Sequence, residues 1–353
     1  MRVAGVMSGT SLDGIDVAIV DIEGRRIRSI GFESAPYPPA VRDAILAAAE
    51  PAAISRLNFR LGELYARAVL HATRRFGPVQ LIGCHGQTIY HEGRSNTLQI
   101  GEPAVIAEHT GVAVVSNFRT RDIAAGGQGA PLVPYADYWL FRHRRLSRAA
   151  LNIGGIANVT LLRANATPLD VVAFDTGPGN MVIDALAREF TGARRSYDRN
   201  GRIAASGRVN RKLLDGLLAD PYYRRSAPKS CGREQFGCAF VERMKRSRLP
   251  LADLIATATT LTAATVAAAI PEDTAELIVS GGGVHNRTLM EQIAAFLPDK
   301  AIVSSAAYGI DPDGKEAIAF ALLAYQTWRK QPANLPSATG AHHPVVLGNI
   351  TPA

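Results

Sequence analysis

The feature that most constrains this chain is a strand, a glycine-bearing turn and a second strand, which occur in that order twice. In the first copy the apolar residues of 3–22 are interrupted by the turn 8–14, and in the second copy those of 149–162 are interrupted by Gly154 and Gly155. The residues themselves barely match, so the repeat is one of architecture. Each copy predicts a β-hairpin that opens an α/β domain.

The size and composition of the chain agree with two domains. It has 353 residues, of which 47% are hydrophobic, and this is enough to fill two ordinary cores. The segment 118–129 is rich in Arg and Gly and is predicted to lack regular structure, and a basic stretch follows at 142–148. We therefore place one domain at 1–147 and the other at 148–329, with 330–353 packing back on the first. Strands and helices are mixed in both halves, which predicts two α/β domains facing one another across a cleft.

Composition also excludes several classes of protein. Cys84, Cys231 and Cys238 form no CxxC pair, so neither a disulfide framework nor a zinc cluster is predicted, and a reducing compartment fits best. The N-terminus lacks the long apolar region of a signal peptide. The uncharged run 254–270 contains five Thr and is predicted to be a buried helix rather than a membrane span. We expect a soluble, cytoplasmic protein.

The net charge of +8 raises the question of a nucleic-acid or membrane-surface partner. The basic stretches 142–148 and 245–248 lack interleaved aromatic residues, so they are predicted to be solvated surface. Nucleic-acid binding therefore rests on charge alone, and we expect neither a nucleic acid nor a membrane as partner. The oligomeric state stays open, with a homodimer as one option.

Two glycine turns and a glycine run are candidates for contact with phosphate or nucleotide. Residues 9–14 (GTSLDG) supply small side chains, hydroxyls and free N–H groups that can surround a phosphate. No Lys follows the second glycine and a strand comes next, so this is not a P-loop, and a plain hairpin turn is the alternative. Gly154 and Gly155 would let the backbone approach a phosphate. The run 281–283 places three glycines after a strand, which suits a backbone surface that contacts the base of a nucleotide. Three glycines alone are also found in linkers.

Asp175 is the candidate proton acceptor. It ends an apolar strand, and partial desolvation at a cleft would suit its carboxylate to take a proton. The alternative is a turn residue that bonds its own backbone, which is common for Asp before Gly-Pro-Gly.

Two further loops collect polar side chains. Their composition suits sugar hydroxyls and a carboxylate, because the Arg fork binds carboxylates in a bidentate manner. Each residue alone could equally be a surface residue. A smaller cluster follows at Lys229, Arg233 and Glu234, with the same alternative. The candidate substrate residues in the two loops are His85, Gln87, Thr88, Arg119, Arg121, Asp122 and Gln128.

Seven motifs in order resemble one known family. They are GVMSGTSLDGIDVA, GCHGQTIYH, RDIAAGGQGAPLVP, LNIGGIANVT, FDTGPGN, PKSCGRE and SGGGVHN, and they run nearly from end to end. The chain thus resembles the anhydro-N-acetylmuramic acid kinases, with MSGTSLDG and RDIAAGGQGAPLVP the most telling motifs. One departure is Cys231, where similar sequences commonly carry Thr, so a hydroxyl contact at that position is in doubt.

The resemblance implies an α/β fold of two actin-like ATPase (ribonuclease H-like) domains facing a central nucleotide and substrate cleft. It implies that ATP, Mg²⁺ and water open the ring of 1,6-anhydro-N-acetylmuramic acid and yield N-acetylmuramic acid 6-phosphate, with Asp175 as the catalytic base. Asp13 or Asp16 would orient Mg²⁺ through water, and Arg119 or Arg121 would bind the lactyl carboxylate. The implied ATP-binding residues are Gly9, Thr10, Ser11, Leu12, Asp13, Gly14, Ile15, Asp16, Gly154, Gly155, Gly177, Gly281, Gly282 and Gly283.

Two other functions remain open at this point. An actin-like kinase for an ordinary sugar hydroxyl would use Asp175 to deprotonate the substrate directly. An ATP-driven chaperone or filament subunit of the same fold would need no sugar-binding loop, and the polar loops argue against it.

Overall fold

The computed structural model describes residues 1–9, 12 and 14–353. The chain divides into two compact units. Unit 1 consists of Met1–Leu140 together with Gly309–Ala353, and unit 2 consists of Phe141–Tyr308. The predicted α/β class with two units is confirmed.

The strands form one large sheet in each unit and a separate hairpin of β5 and β6 in unit 1. In chain order they are β1 Arg2–Met7, β2 Gly14–Glu23, β3 Arg26–Pro36, β4 Leu81–Cys84, β5 Gln87–Glu92, β6 Asn96–Ile100, β7 Val114–Ser116, β8 Ser147–Ile153, β9 Ile156–Leu162, β10 Val172–Pro178, β11 Thr274–Ser280, β12 Ala301–Ser304 and β13 Asn349–Thr351.

The helices pack on these sheets or on one another. In chain order they are α1 Pro39–Leu46, α2 Pro51–Phe76, α3 Pro103–Thr110, α4 Thr120–Ala124, α5 Val133–Phe141, α6 Asn180–Phe190, α7 Arg202–Ser206, α8 Arg211–Leu218, α9 Arg233–Phe236, α10 Cys238–Lys245, α11 Leu251–Ala269, α12 Arg287–Phe296, α13 Lys315–Trp328 and α14 Pro336–Thr339.

Both large sheets have the same strand arrangement. The order in unit 1 is β13-β7-β4-β1-β2-β3, and the order in unit 2 is β10-β9-β8-β11-β12. Read from β3 in unit 1 and from β10 in unit 2, each sheet has three antiparallel strands, and two further strands then continue it in parallel. Unit 1 has β13 as an additional antiparallel strand at the far edge. This repeated order is the one expected of two ribonuclease H-like domains, so the repeat read from the two glycine turns extends to the whole sheet.

The sheet of unit 1 packs against α2 and α13. In α2 the buried residues recur every three or four positions, as in Leu57, Leu61 and Tyr65, which places them on one face. Helix α13 lies so close to β1 that a Cβ at Gly5 would come within 1.8 Å of the Ala317 carbonyl oxygen. This helix was predicted to belong to the second domain, whereas its contacts place it in unit 1.

Helix α11 forms the core of unit 2. It is the one helix among the described residues that is long and apolar enough to cross a membrane, yet 67% of its apolar window is buried. Its threonines can be buried because their hydroxyls bond carbonyls one turn back, as Thr259 does to Ile255 O at 2.8 Å. The run 254–270 is therefore a buried helix, as predicted.

Two predictions from local composition are wrong. The segment 118–129 contains the short helix α4, because the Asp122 carboxylate and the surrounding residues fix its backbone. Arg148 is not solvated surface: its side chain is 11% exposed and its Nε lies 2.7 Å from Glu276 Oε2. The guanidinium also lies 5.0 Å from the centre of the Tyr308 ring, so its charge is offset within unit 2.

Candidate active site

Asp175 lies where the outer strand of the second sheet changes register. It pairs with Asn158 of β9, while Gly177 already pairs with Ala157, so one residue of β10 is extra at this β-bulge. Bulges next to active sites re-aim a side chain. Phe174 packs towards α11, and Asp175 points to the opposite face of the sheet.

The loop after Tyr222 fixes the backbone and side chain of Asp175. Its N–H donates to Lys229 O at 3.0 Å, and its carbonyl accepts from the Tyr222 hydroxyl at 2.6 Å. Its Oδ2 accepts from the backbone N–H of Cys231 at 2.9 Å. Because this contact uses backbone, it does not need the hydroxyl that a Thr would supply at position 231.

Burial makes Asp175 a better proton acceptor than an ordinary carboxylate. Desolvation raises its pKa to about 6, the Cys231 N–H opposes this rise, and the charge of Glu234 adds to it. A group with a pKa of about 6 is ionised at neutral pH and still basic enough to accept a proton. The burial of the Cys231 thiol raises its pKa to about 12, which keeps it neutral.

A row of polar residues crosses the sheet from Asp175, and the sequence analysis missed it. Asn158 lies opposite Asp175, Asn152 opposite Asn158, and Ser280 opposite Asn152. All four therefore share one face of the sheet. The signal was present in the sequence, since Asn152 and Asn158 interrupt two strands that are otherwise predicted to be apolar.

The carbonyl groups of the second glycine turn are bonded to the chain at the start of α6. The carbonyl of Gly155 accepts from the N–H groups of Gly179 and Met181, and the carbonyl of Gly154 accepts from that of Asn180. Gly155 itself is exposed. Both carbonyl oxygens are thus occupied by the start of α6, so they offer less repulsion to a phosphate approaching the turn.

The other predicted glycines differ in what surrounds them. A Cβ at Gly281 or Gly283 would meet Ile153, at 2.8 Å from its carbonyl oxygen and 2.3 Å from its Cγ2 respectively. Gly282 is exposed and would meet nothing within 4 Å, so it alone presents bare backbone. Gly177 is buried with Tyr223 nearby, which gives it a packing role, and its contact with nucleotide stays a prediction.

The first glycine turn is described only in part. Thr10, Ser11 and Asp13 lie outside the described residues. The N–H of Leu12 donates to Gly9 O at 3.2 Å. Gly14, Ile15 and Asp16 begin β2, where Ile15 is buried in the core and Asp16 is half-buried opposite Met7.

Asp16 is the described residue that suits Mg²⁺. The described residues contain no group of three or more His, Cys, Asp or Glu that could enclose a metal. Mg²⁺ commonly keeps several waters and is held by one or two carboxylates together with substrate phosphates. A single carboxylate at the start of β2 therefore fits this ion.

Buried His85 and half-buried Arg119 form a pair in unit 1. Both Nε and Nη2 of Arg119 donate to His85 Nε2, at 3.1 and 3.0 Å, and Nη1 donates to Gly129 O at 3.0 Å. Burial and the Arg119 charge hold the pKa of His85 well below its usual range, so His85 is neutral. Burial lowers the pKa of Arg119 to about 10, and the nearby carboxylate of Glu316 opposes this change.

Asp122 is a joint within the protein rather than an open ligand for a sugar. Its side chain is fully buried, and its carboxylate accepts from Asn334 Nδ2 at 2.7 Å, Thr339 Oγ1 at 2.7 Å and Gly129 N at 2.8 Å. A Cβ at Gly127 would come within 2.2 Å of the same carboxylate. These contacts fix the C-terminal segment to the loop that carries Arg119.

We expect Thr339→Val to lower the unfolding free energy of unit 1 by about 1–3 kcal/mol, because it removes one of the three donors that compensate the buried Asp122 carboxylate. Both tryptophans, Trp139 and Trp328, lie in α5 and α13, so urea unfolding followed by tryptophan fluorescence reports on this unit. Arg121→Ala, an exposed neighbour of Asp122, is the matched control and should change little. Equal stability of both variants would show that the joint does not support the unit.

The remaining predicted substrate residues lie around the β5–β6 hairpin. Gln87 is buried, with its Oε1 3.5 Å from the Tyr37 hydroxyl. Thr88 is half-buried and its hydroxyl accepts from Gln99 Nε2 at 3.3 Å. Gln128 is exposed, with its Oε1 beside Gly93. The loops predicted to bind a sugar are thus brought together within unit 1, except that Asp122 is used internally.

A pocket of about 340 Å³ lies on the other face of β10 from Asp175. Its lining includes Phe174, Thr176, Lys229 and the end of α11 at Thr265. Lys229 donates to the carbonyls of Tyr222 and Tyr223, so its ammonium is held by the protein. Asp175 does not line this pocket.

Comparison with known proteins is specific. A family model described as anhydro-N-acetylmuramic acid kinase matches residues 1–353. An anhydro-N-acetylmuramic acid kinase from Caldanaerobacter subterraneus subsp. tengcongensis is 43% identical over 381 residues, covering 99% of this chain and 96% of that protein. One from Streptomyces coelicolor is 46% identical over 371 residues, covering 100% and 94%. Among solved structures, an activator of 2-hydroxyisocaproyl-CoA dehydratase from Clostridium difficile with bound ADPNP matches with a TM-score of 0.47 and 14% identity, covering 93% and 96%.

Proposed function

The chain belongs to the anhydro-N-acetylmuramic acid kinase family, and on that premise we propose that it uses ATP and water to convert 1,6-anhydro-N-acetylmuramic acid into N-acetylmuramic acid 6-phosphate and ADP. This reaction serves the recycling of cell-wall peptidoglycan. We further propose that it takes place in the cytoplasm, without a nucleic acid or a membrane as partner, and that a homodimer is one option for the assembly.

The observation that carries the proposal is the state of Asp175. Water is a poor nucleophile, so ring opening needs a base that takes a proton as the new bond forms. Asp175 is half-buried, held by Cys231 N–H, and has its pKa raised to about 6. A positioned base of this kind contributes about 10²–10⁴-fold to the rate.

The reaction balances with Asp175 as the only protein group that changes protonation. The water oxygen bonds to the anomeric carbon as the bond from that carbon to the 6-oxygen breaks. One water proton passes to Asp175, and the other stays on the new hydroxyl. The 6-oxygen takes the γ-phosphoryl group of ATP, ADP leaves, and Asp175 later releases its proton to solvent.

We assign the ATP phosphates to the two glycine turns, 9–14 and Gly154 with Gly155. We assign the adenine base of ATP to Gly282. The occupied carbonyls of the second turn support the assignment of the phosphates. Asp16 would hold Mg²⁺ through water, and the bound ion would offset the charge of the phosphates. The roles of Thr10, Ser11 and Asp13 remain part of the proposal and rest on the family motif alone.

We assign the sugar to His85, Gln87, Thr88 and Gln128, and its lactyl carboxylate to Arg121. Three N–H groups of Arg119 already donate to His85 and Gly129, so its fork is largely committed. Arg121 is exposed and keeps its fork available. Arg119 then holds the loop in place through its bonds to His85 and Gly129. Its partner His85 is neutral and would contact the sugar as an uncharged group.

One assay tests the function. The protein is mixed with ATP, Mg²⁺ and 1,6-anhydro-N-acetylmuramic acid in ¹⁸O-enriched water, and the product is examined by mass spectrometry. We expect a 6-phosphate with one solvent oxygen at the anomeric carbon. Phosphorylation without solvent oxygen would instead identify a kinase for an ordinary sugar hydroxyl. ATP hydrolysis that does not depend on sugar would favour a chaperone or filament subunit.

The rate should fall in acid because Asp175 must be ionised to accept a proton. With a pKa of about 6, kcat/KM for the sugar should be nearly constant between pH 7 and 8 and should drop about tenfold per pH unit below 6. Initial rates in a constant-ionic-strength buffer series check this expectation. An acidic limb near pH 4, where an ordinary Asp titrates, would mean that Asp175 is not the group whose ionisation controls the rate.

A further inference from the structure

The water that attacks the sugar needs more than a base. Asp175 can accept one hydrogen bond from that water, but a single contact leaves the water free to rotate about it. A second acceptor or donor nearby would fix the direction of the attacking lone pair. A residue in this role must carry a polar group that is adjacent to Asp175, accessible and not already hydrogen-bonded.

Asn158 meets these three conditions. It lies opposite Asp175 in the antiparallel β9–β10 pair, where side chains on the same face have Cβ atoms about 4.5–5.5 Å apart. It is half-buried, so it remains open to a ligand from one side. Within residues 1–9, 12 and 14–353, its amide has no hydrogen-bond partner.

Most other neighbours of Asp175 are already committed, and Glu234 is an exposed carboxylate whose negative charge already favours the protonated form of Asp175. The Cys231 N–H donates to Asp175 Oδ2, and the Tyr222 hydroxyl donates to the Asp175 carbonyl. Farther along the row, Ser280 is 1% exposed and its hydroxyl donates to Leu151 O. Asn158 is thus the polar side chain beside the base that has both a free donor and a free acceptor.

We propose that Asn158 holds the nucleophilic water together with Asp175 and directs it at the anomeric carbon. This inference rests on the proposed function. One water proton faces the Asp175 carboxylate and the other faces the Asn158 side-chain oxygen, so a lone pair points away from both. When the bond to the anomeric carbon forms, the first proton moves to Asp175. The second proton stays on the hydroxyl of the product, and Asn158 neither gains nor loses a proton.

A neutral amide suits this position better than a second carboxylate. A negative charge about 5 Å from Asp175 would favour its protonated form and so remove the base at neutral pH. The amide can hold a water without that penalty. A carboxylate introduced at position 158 would therefore test directly whether this side chain lies close to Asp175.

The first variant is Asn158→Ala. We expect kcat to fall about 10- to 100-fold, while KM for ATP and for the sugar changes less than about threefold, because the water is misplaced but both substrates still bind. The acidic limb near pH 6 should remain, since Asp175 is unchanged. Asn349→Ala, an exposed asparagine on β13, is the matched control and should keep the wild-type rate. Thermal unfolding of each variant shows that it is folded.

The second variant is Asn158→Asp. It should move the acidic limb upward by about one pH unit or more, because the new carboxylate repels the charge of Asp175. A purely structural role for Asn158 would leave the limb where it is. The inference is overturned if Asn158→Ala keeps kcat within about threefold of wild type and Asn158→Asp leaves the limb unmoved, while Asp175→Asn is inactive. Full activity of Asp175→Asn would overturn both the base assignment and this inference.

Discussion

Asp175→Asn should lower kcat for ring opening and phosphorylation by about 10²–10⁴-fold while the protein becomes more stable. The amide cannot accept a proton from water, so the positioned base is lost. Its side-chain oxygen can still accept the Cys231 N–H bond that Asp175 Oδ2 accepts. Steady-state rates of ADP formation, followed with a coupled enzyme assay, measure the loss, and near wild-type turnover in a folded variant would remove Asp175 from the role of base.

The gain in stability follows from the raised pKa. Asp175 titrates near 6 in the folded protein and near 3.8 as an unperturbed group, so its ionised form is less favourable when folded. Below about pH 4 both states are protonated and there is no cost. The cost develops as the pH rises from about 4 to about 6, where the unfolded state is ionised and the folded state is still protonated, and above pH 6 it stays at about 2–3 kcal/mol.

Calorimetry at several pH values checks this expectation. The apparent Tm of Asp175→Asn should exceed that of wild type at pH 7.5 by a few degrees, and the difference should vanish near pH 4. Asp215→Asn is the matched control, because that carboxylate is 63% exposed on α8 and its pair with Arg211 contributes little. A variant less stable than wild type at pH 7.5 would mean that the carboxylate is well accommodated in the fold.

Lys315→Met should destabilise unit 1 by about 3–5 kcal/mol. Lys315 Nζ lies 2.9 Å from Asp137 Oδ1, and the two side chains are 1% and 2% exposed. Removing the ammonium leaves the Asp137 carboxylate buried without its cation, and that desolvated charge is costly. Urea unfolding followed by the fluorescence of Trp139 and Trp328 measures the effect within this unit.

The double variant Lys315→Met with Asp137→Leu separates the pair from its surroundings. Replacing both charges by apolar groups of similar size often costs little, so the double variant should recover most of the lost stability. Arg287→Met, which breaks an exposed pair with Glu291 on α12, is a surface control. A double variant as unstable as the sum of the two single ones would mean that Lys315 and Asp137 act through separate partners.

Much of the fold could be predicted because its signals are local. The two hairpins are apolar runs around glycine turns, and α11 is an uncharged run of helical length. Asp175 was predicted to end an apolar strand, whereas β10 continues to Pro178 and Asp175 lies beside a bulge within it. Strand β3 was missed, since it is an edge strand with several exposed polar residues and has no simple alternation.

Features that depend on distant residues could not be predicted. Asp122 was assigned to the substrate because it stands in a polar, glycine-rich loop. Its partners Asn334 and Thr339 lie 212 and 217 positions further along the chain, and no local pattern connects them. The ion pair of Lys315 with Asp137 spans 178 positions in the same way. The polar row through Asn158 is a different case, since strand pairing and not chain distance brings it to Asp175.

The discontinuous make-up of unit 1 has a consequence for biosynthesis. The chain leaves this unit after Leu140, completes unit 2, and returns at Gly309 with α13 and the C-terminal segment. On the ribosome, which adds about 5–20 residues per second, the first sheet waits for about 170 further residues before α13 can cover it. Unit 2 is contiguous and can fold meanwhile. Asp122 gains Asn334 and Thr339 only after all of unit 2 has been synthesised, so the loop that this joint orders is completed late.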